Sequence, residues 1–312
     1  MKLIDLHCDT IDKLMEDQNA NLYKNDFSID IQKLKKSNSI AQVFAVYFDL
    51  DLYRGNPYNR FENMASKFYE QLDLNKNDIA LAKNYQDILN NQKQNKLSAI
   101  LSIEEGAALN GDIKNLYKAH EAGVRLITLT WNYENEIGYP HNKVGFENEG
   151  LKPFGLEVIE RMNELGMIID VSHLNDGGFY DVSRNSKKPF IASHSNARNV
   201  TGASRNLTDD MIKVLGNKGG VTGINFCKFF LGESNVSKVD DIVKHIKHIV
   251  NVGGIDVVAM GSDFDGIPDD LEMKDISQMY MLQDALLKSR FNEDEIEKMM
   301  YKNALRVIKD VL

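Results

Sequence analysis

Short apolar runs alternate with longer amphipathic stretches along this chain. Most of the runs are near-continuously apolar or β-branched, as expected of parallel strands that are buried on both faces. Eight of them have the length of a strand, and they span residues 2–7, 41–48, 98–103, 124–130, 167–172, 189–193, 220–225 and 256–261. The runs therefore predict the strands of a parallel sheet.

The stretches between the runs carry apolar positions at helical spacing. Residues 151–165 end at Gly166, a suitable C-cap, and residues 208–218 open on Thr208, a good N-cap. Further helices are predicted at 238–252 and 293–310, with two more pieces at 57–73 and 76–92. Eight strands that alternate with helices predict an α/β protein, a closed (β/α)8 barrel of the TIM type. The 312 residues fit one domain, residues 1–312, with a helical insertion around 49–97.

Side chains with metal-binding chemistry follow five of the predicted strands. In a barrel of this type the C-terminal ends of the strands carry the active site, so these side chains are expected to share one rim. They are His7 and Asp9 after the first strand, Glu104 after the third, His173 after the fifth, His194 after the sixth and Asp263 after the eighth. The sequence therefore predicts a metal site on the upper rim.

The residue types of this set suit zinc or a similar divalent ion. Alternate residues of a strand share a face, so His7 and Asp9 point together and Cys8 points away. An imidazole nitrogen with a carboxylate oxygen is a common ligand pair, and Glu104 can bridge two ions with one oxygen to each. Taken singly, His173 or His194 is better explained as a buried structural residue. The two stand at matching positions after neighbouring strands, however, and this favours a role as metal ligands. Glu105, beside Glu104, is predicted to be a surface acid.

The other candidates carry less weight. His120, His245 and His248 lie in helical stretches with charged neighbours, which predicts solvated faces. His141, in the loop after the fourth strand, could reach a substrate. Asp265-Gly266 is a turn signal, and the spacing of an EF-hand is missing around it. Motifs for nucleotide binding, HExxH metallopeptidases and serine hydrolases are absent from the sequence.

Composition excludes several classes of function. The 37 Lys and Arg against 46 Asp and Glu give a net charge of −9, which argues against a nucleic-acid partner. No apolar run approaches the roughly 20 residues of a membrane helix, so no membrane partner is expected. Asp5 interrupts the first apolar stretch, and Cys8 and Cys227 make no disulfide framework. These features predict a cytoplasmic protein with free thiols.

Taken together, these residues resemble those of the membrane (renal) dipeptidase family of metallopeptidases. The resemblance runs over most of the chain and rests jointly on LIDLHCDT, the EEG stretch, GVRLITLTWN, MIIDVSHL, PFIASHSNAR, ASRNL and GSDFDG. It implies a metal-dependent hydrolase barrel with two zinc ions at its rim and a small dipeptide as substrate. His7 and Asp9 should then bind one ion, Glu104 should bridge both, and His173 with His194 should complete the second site.

The same resemblance implies roles for residues around the metals. A hydroxide shared by the two ions would attack the peptide carbonyl, Asp263 would transfer its proton, and Arg205 would contact the carboxyl-terminal part of the substrate. Where animal members have a substrate-contacting histidine, this chain has Trp131, followed by Asn132. Trp131 could contact a substrate side chain or fill the core, and Asn132 is a further candidate for substrate contact. A homodimer is also implied. Cobalt or manganese could replace zinc.

Two other functions remain open from the sequence. One is a different binuclear barrel hydrolase, such as a lactonase, phosphotriesterase or other amidohydrolase. Many of these use HxH on the first strand and a modified lysine after the fourth, whereas this chain has HxD and no lysine there. The other is an inactive, metal-stabilised binding protein, against which the intact ligand set argues.

Overall fold

The computed structural model describes residues 1–17, 19–53 and 55–312, and these contain nine strands in one parallel sheet. The strands are β1 (Leu3–Asp5), β2 (Ser39–Tyr47), β3 (Ile79–Leu81), β4 (Leu97–Glu104), β5 (Val124–Thr128), β6 (Ile168–Asp170), β7 (Ile191–Ala192), β8 (Val221–Ile224) and β9 (Val258–Met260). Their order is β2-β1-β9-β8-β7-β6-β5-β4-β3, and β2 also pairs with β4. That last pairing closes eight strands into a barrel, so the predicted (β/α)8 fold is confirmed.

The predicted helix at 76–92 is confirmed only in its second half. That half belongs to the helix Tyr85–Lys93, where Asn84 accepts the backbone N–H of Asp87 as the N-cap, whereas the first half contains the extra strand β3. β3 pairs with Leu97–Ala99, whereas β5 pairs with the same edge of β4 only from Leu101 onwards. The free edge in the first half of β4 therefore takes up a ninth strand outside the barrel.

Helices surround the barrel and connect its strands. They are α1 (Thr10–Glu16), α2 (Ile31–Lys36), α3 (Leu50–Tyr53), α4 (Pro57–Leu74), α5 (Tyr85–Lys93), α6 (Ile113–Glu121), α7 (Pro153–Leu165), α8 (Asp176–Asn185), α9 (Asp209–Asn217), α10 (Lys228–Leu231), α11 (Val239–Gly253), α12 (Tyr280–Lys288), α13 (Glu293–Glu297) and α14 (Asn303–Val311). Thr208 and Gly166 cap α9 and α7 as predicted. The predicted helix 293–310 is interrupted by a π-helical turn at Lys298–Lys302. Among the described residues, no helix is both long and apolar enough to cross a membrane.

The last helix lies at the end of the barrel opposite the predicted site. Val307, Ile308 and Val311 of α14 belong to one apolar cluster with residues near the starts of several strands, including Ile168 and Val221. Apolar contact therefore covers the N-terminal ends of the strands, and the C-terminal ends remain for polar side chains.

His245 departs from its predicted place. It is fully buried in α11, where Nδ1 accepts the backbone N–H of Ala197 at 3.1 Å and Nε2 donates to the carbonyl of Leu231 at 3.0 Å. The prediction of a solvated face is wrong for this residue. His120 and His248 are partly exposed.

Candidate metal centre

The predicted ligands come together at the C-terminal rim of the barrel. Glu104 is the last residue of β4, and the others stand in the first residues after β1, β6, β7 and β9. Their ligand atoms form three overlapping groups, each with all of its atoms within 4.8 Å of one another: His7, Asp9 and Glu104; Glu104, His173 and His194; and His7, His194 and Asp263. Residues far apart in the chain thus form one compact, buried cluster.

Glu104 lies between two sets of ligands. Its Oε2 is 3.1 Å from Nε2 of His7, which in turn is 3.4 Å from Oδ2 of Asp9. Its Oε1 is 3.2 Å from Nε2 of His173 and 3.3 Å from Nε2 of His194. Each carboxylate oxygen therefore faces a different set, as a carboxylate that bridges two cations would.

The distances within each set fit a tetrahedral zinc ion. Bonds of about 2.0–2.1 Å place the ligand atoms of one such ion about 3.3 Å apart, close to the separations around Glu104. Several buried polar atoms of the cluster also lack any hydrogen bond among the described residues, namely both ring nitrogens of His7, Oδ1 of Asp9 and Oε1 of Glu104. Buried polar atoms without partners are costly, and a cation would satisfy them.

A hydrogen-bonded chain orients His194. Its Nδ1 lies 2.7 Å from Oγ of Ser193, and that hydroxyl donates to Oδ2 of Asp170 at 2.5 Å. Because the Ser193 hydroxyl proton is directed to Asp170, its oxygen accepts the Nδ1–H of His194. Nε2 of His194 is then left with a lone pair for a cation, because a partner that accepts one ring N–H of a metal-binding histidine leaves the other nitrogen free to coordinate.

His173 is oriented in the same way by Asn132. Nδ1 of His173 lies 3.1 Å from Oδ1 of Asn132, an acceptor, so its Nε2 also carries a lone pair. The Nε2 atoms of His173 and His194 are only 3.0 Å apart. Two lone pairs at this distance repel each other unless a cation lies between them. His141 reaches the same Asn132 oxygen at 3.3 Å and Oγ of Ser204 at 2.8 Å.

The electrostatics of the cluster depend on burial and on close charges. Burial lowers the pKa of His7, but Glu104 and Asp9 raise it well above its usual value. Burial raises the pKa of Asp9 to about 6 and that of Asp263 to about 8. Burial also raises the pKa of Glu104, yet the charge of the neighbouring His7 brings it well below the usual value. Bound cations would be the largest charges in such a site and would compensate the crowded acids.

Two residues of the cluster have strained backbones. His173 has a φ of +66° and Asp263 a φ of +64°, in the left-handed region that non-glycine residues seldom adopt. Strain of about 1–3 kcal/mol per residue persists only where the surroundings fix it, and such residues concentrate at active sites. The backbone N–H of Asp263 donates to the carbonyl of His7 at 3.2 Å, and Nδ2 of Asn225 donates to its Oδ2 at 2.8 Å, while Oδ1 faces His7 at 3.8 Å.

A cavity of about 180 Å³ opens beside the cluster. Its lining includes Asp9, Glu104, His173 and Asp263 together with Tyr47, Trp131, Asn132, Cys227, Phe230, Gly266, Ile267 and Pro268. Ligand pockets for drug-sized molecules usually measure about 300–1,000 Å³, so this cavity suits a small molecule. Trp131 is half-buried in its wall and packs against Tyr47, with the ring centres 4.9 Å apart.

Arg205 is buried next to the cluster. Its guanidinium donates to Oγ of Ser195 at 2.6 Å and to the carbonyl of His194 at 2.9 Å, while Nε is buried without a partner among the described residues. It also lies 5.8 Å from the centre of the Phe230 ring, which lines the cavity. The structure thus brings Arg205 near the site and ties it to a predicted ligand.

Some residues of the site were missed or misread in the sequence. Glu105 is fully buried, and the prediction of a surface acid is wrong. Asp170, which orients His194 through Ser193, was not identified. A signal was present, because Asp170 is an acid within an otherwise apolar strand, and a buried acid needs a specific partner. No comparable local signal marks Tyr47 or Phe230.

The chain is similar to known proteins over most of its length. The model of a family described as membrane dipeptidase (peptidase family M19) matches residues 1–312. A Klebsiella pneumoniae protein from the pqqA 5′ region is 35% identical over 234 residues, 72% of this chain and 86% of the relative. An uncharacterized dipeptidase of Schizosaccharomyces pombe is 30% identical over 300 residues, 90% of this chain and 71% of the relative.

Solved structures share the fold over the whole chain. A dipeptidase AC of family M19 has a TM-score of 0.92 at 24% identity, with 100% of this chain and 98% of that chain covered. A metallopeptidase from Rhodobacter sphaeroides, liganded with a phosphinate mimic of the dipeptide L-Ala-D-Ala, has a TM-score of 0.91 at 23% identity, with 100% and 99% covered. At these identities the likeness shows the fold alone.

Proposed function

The chain belongs to the membrane dipeptidase family, peptidase family M19, and from that premise we propose that its metal centre hydrolyses the peptide bond of dipeptides. Membership of this family shows the general activity, which is that of a metal-dependent dipeptidase and therefore of a hydrolase. The observation that supports this site as the active site is Glu104, whose two oxygens face two different sets of ligands. The small cavity beside it supports a substrate of dipeptide size.

The proposed cofactor is a pair of zinc ions. His7, Asp9 and Glu104 would hold one ion, and Glu104, His173 and His194 the other. Divalent cations supply a nucleophilic hydroxide near neutral pH and polarise the scissile carbonyl. Cobalt or manganese could take the same nitrogen and oxygen ligands, so metal analysis of the purified protein decides the identity.

Asp263 is the proposed proton carrier. Asn225 holds its Oδ2, which leaves Oδ1 towards His7 and the centre of the cluster. From there Asp263 would accept the proton of the attacking water and deliver it to the leaving amine, the role of a general base followed by a general acid.

Three residues are proposed to bind the substrate. Arg205 would pair with the carboxylate of the dipeptide, for which a guanidinium fork is well suited. Trp131 and Asn132 line the cavity and would contact the rest of the molecule. An acidic or metal-lined pocket would hold the free amino group. Charges bound at both ends favour dipeptides, because a longer peptide would leave one of them unpaired.

We also propose a single domain over residues 1–312, a cytoplasmic location and a homodimer. Support for the location comes from Cys8 and Cys227, which are both free and buried, as is usual in a reducing compartment. Light scattering in solution tests the homodimer directly.

The variant Glu104→Gln tests the proposed function. It keeps the shape of the side chain but removes one ligand oxygen and the charge, so we expect loss of bound metal and of dipeptide hydrolysis. Glu62→Gln, an exposed acid on α4, is the matched control and should retain both. Near wild-type hydrolysis by Glu104→Gln with full metal content would contradict the proposal.

A further inference from the structure

Glu105 is a buried acid, and both of its carboxylate oxygens accept hydrogen bonds. Oε1 accepts the backbone N–H of Ala107 at 2.9 Å and Nδ2 of Asn135 at 2.5 Å, and Oε2 accepts the backbone N–H of Trp131 at 3.1 Å. The residue also has a φ of +95°, which is rare outside glycine. A buried carboxylate needs such donors to remain in place, and two of these three belong to the loop after β5.

Contacts around Glu105 fix that loop against the end of β4. Asn135 donates a second bond to the carbonyl of Leu129 at 2.9 Å, and its Oδ1 accepts the N–H groups of Ile137 and Gly138. Gly106 packs so closely that an added Cβ would lie 2.5 Å from the carbonyl oxygen of Leu129. The loop from Leu129 to Gly138 is therefore held from one side by Glu105 and its neighbour.

The loop carries one wall of the cavity. Trp131 packs against Tyr47, and the centre of its ring is 6.1 Å from that of His173. Phe230, Ile267 and Pro268 also line the cavity, and no lysine or arginine occurs in its lining as described. Apolar walls beside a polar metal cluster favour a substrate side chain that is itself apolar.

We propose that Glu105 is a positioning residue, which holds Trp131 in the cavity wall and thereby sets a preference for dipeptides with an apolar side chain. This inference rests on the proposed function. Glu105 does not act on the reacting atoms, because backbone and amide donors occupy both of its oxygens. Its effect on the apolar preference is proposed to reach the substrate through Trp131, whose backbone N–H it accepts.

The fluorescence of Trp131 gives the first test, because it is the only tryptophan in the chain. In Glu105→Gln, the amide has one acceptor oxygen and turns an NH2 group towards donors, so the loop should loosen. We expect a red-shifted emission and stronger acrylamide quenching than in wild type, with both proteins measured in excess zinc. Glu62→Gln, which makes the same charge change on an exposed surface, should match wild type. Identical quenching in wild type and Glu105→Gln would overturn the role of Glu105.

Substrate selectivity gives the second test. Ratios of kcat/KM for leucine against glycine are measured at each position of the dipeptide, with zinc added. We expect wild type to favour leucine at one position by about tenfold or more, the range typical of an apolar pocket. Trp131→Ala should abolish this preference and Glu105→Gln should reduce it. The double variant should be no less selective than Trp131→Ala alone, because Glu105 acts through Trp131. A double variant that is less selective than Trp131→Ala would overturn the proposal.

The outcomes separate this inference from the proposed function. Wild-type protein that is loaded with metal but hydrolyses no dipeptide would refute the function and, with it, the selectivity. An active wild type with unaltered selectivity in Glu105→Gln would refute the inference alone. If Glu105→Gln does not fold, as judged by circular dichroism, Asn135→Ser replaces it. That variant removes one donor to Glu105 and should produce the same two changes, and their absence would count against the proposal equally.

Discussion

Removal of the Ser193 hydroxyl tests how the orientation of one predicted metal ligand, His194, affects metal binding. In Ser193→Ala, Nδ1 of His194 loses its acceptor at 2.7 Å, while Asp170 keeps Thr128 Oγ1 at 2.6 Å and the backbone N–H groups of Ser172 and Ser193. The acid therefore stays satisfied, and the barrel should fold normally. The imidazole of His194, however, is no longer restricted to one tautomer and one ring orientation.

The expected loss of metal affinity follows from the effects known for residues that hydrogen-bond to metal ligands. Their removal typically costs about 10–100-fold in metal affinity, which is about 1.4–2.7 kcal/mol. The loss should fall on the site of His173 and His194, because His7 and Asp9 make no contact with Ser193 among the described hydrogen bonds. One of the two proposed zinc ions should therefore dissociate more readily than the other.

Titration of the metal-free protein against a fluorescent zinc chelator measures both affinities. Ser183→Ala is the matched control: it removes a buried hydroxyl from α8, where the described hydrogen bonds give that group one partner, the carbonyl of Tyr180. Unchanged affinity at both sites in Ser193→Ala would refute the proposed orientation of His194. Equal weakening at both sites would refute its restriction to one ion.

Three further predictions concern other parts of the molecule. In Gly266→Ala the new Cβ would lie 2.0 Å from Oδ2 of Asp9, so the carboxylate must move; we expect metal affinity to fall about tenfold or more, and a zinc titration that matches wild type would contradict this. Arg205→Lys replaces the fork by a point charge and should raise KM for a dipeptide far more than for its C-terminal amide; equal effects on both substrates would exclude a bond to the carboxylate. Burial lowers the pKa of His245 from 6.5 to about 4. As the pH falls, His245 is therefore protonated in the unfolded chain before it is protonated in the folded one. The free energy of unfolding should decrease by about 3 kcal/mol as the pH falls from 6.5 through 4. Between pH 7 and pH 4, the free energy of unfolding in urea should therefore fall by about 3 kcal/mol less for His245→Gln than for wild type. Equal falls in the two proteins would show that His245 does not titrate this way.

The sequence by itself determined the barrel and the place of its site. Parallel strands buried on both faces must be apolar along their whole length, so each of the eight predicted runs marks a strand, although the strands in the structure have somewhat different bounds. Polar residues directly after such runs must lie at one rim, because all strands of the barrel are parallel. His7, Glu104 and His194 were predicted to converge for this reason alone, and the structure places them together.

Tertiary contacts decided what no local pattern encodes. In the sequence, His245 has charged neighbours and Glu105 stands at the start of a loop, yet both are buried, because donors from distant loops satisfy them. The strand β3 forms only because half of one edge of β4 is free. Burial of a polar group and the use of a strand edge depend on partners distant in the chain, and only the folded chain brings these partners within hydrogen-bonding distance.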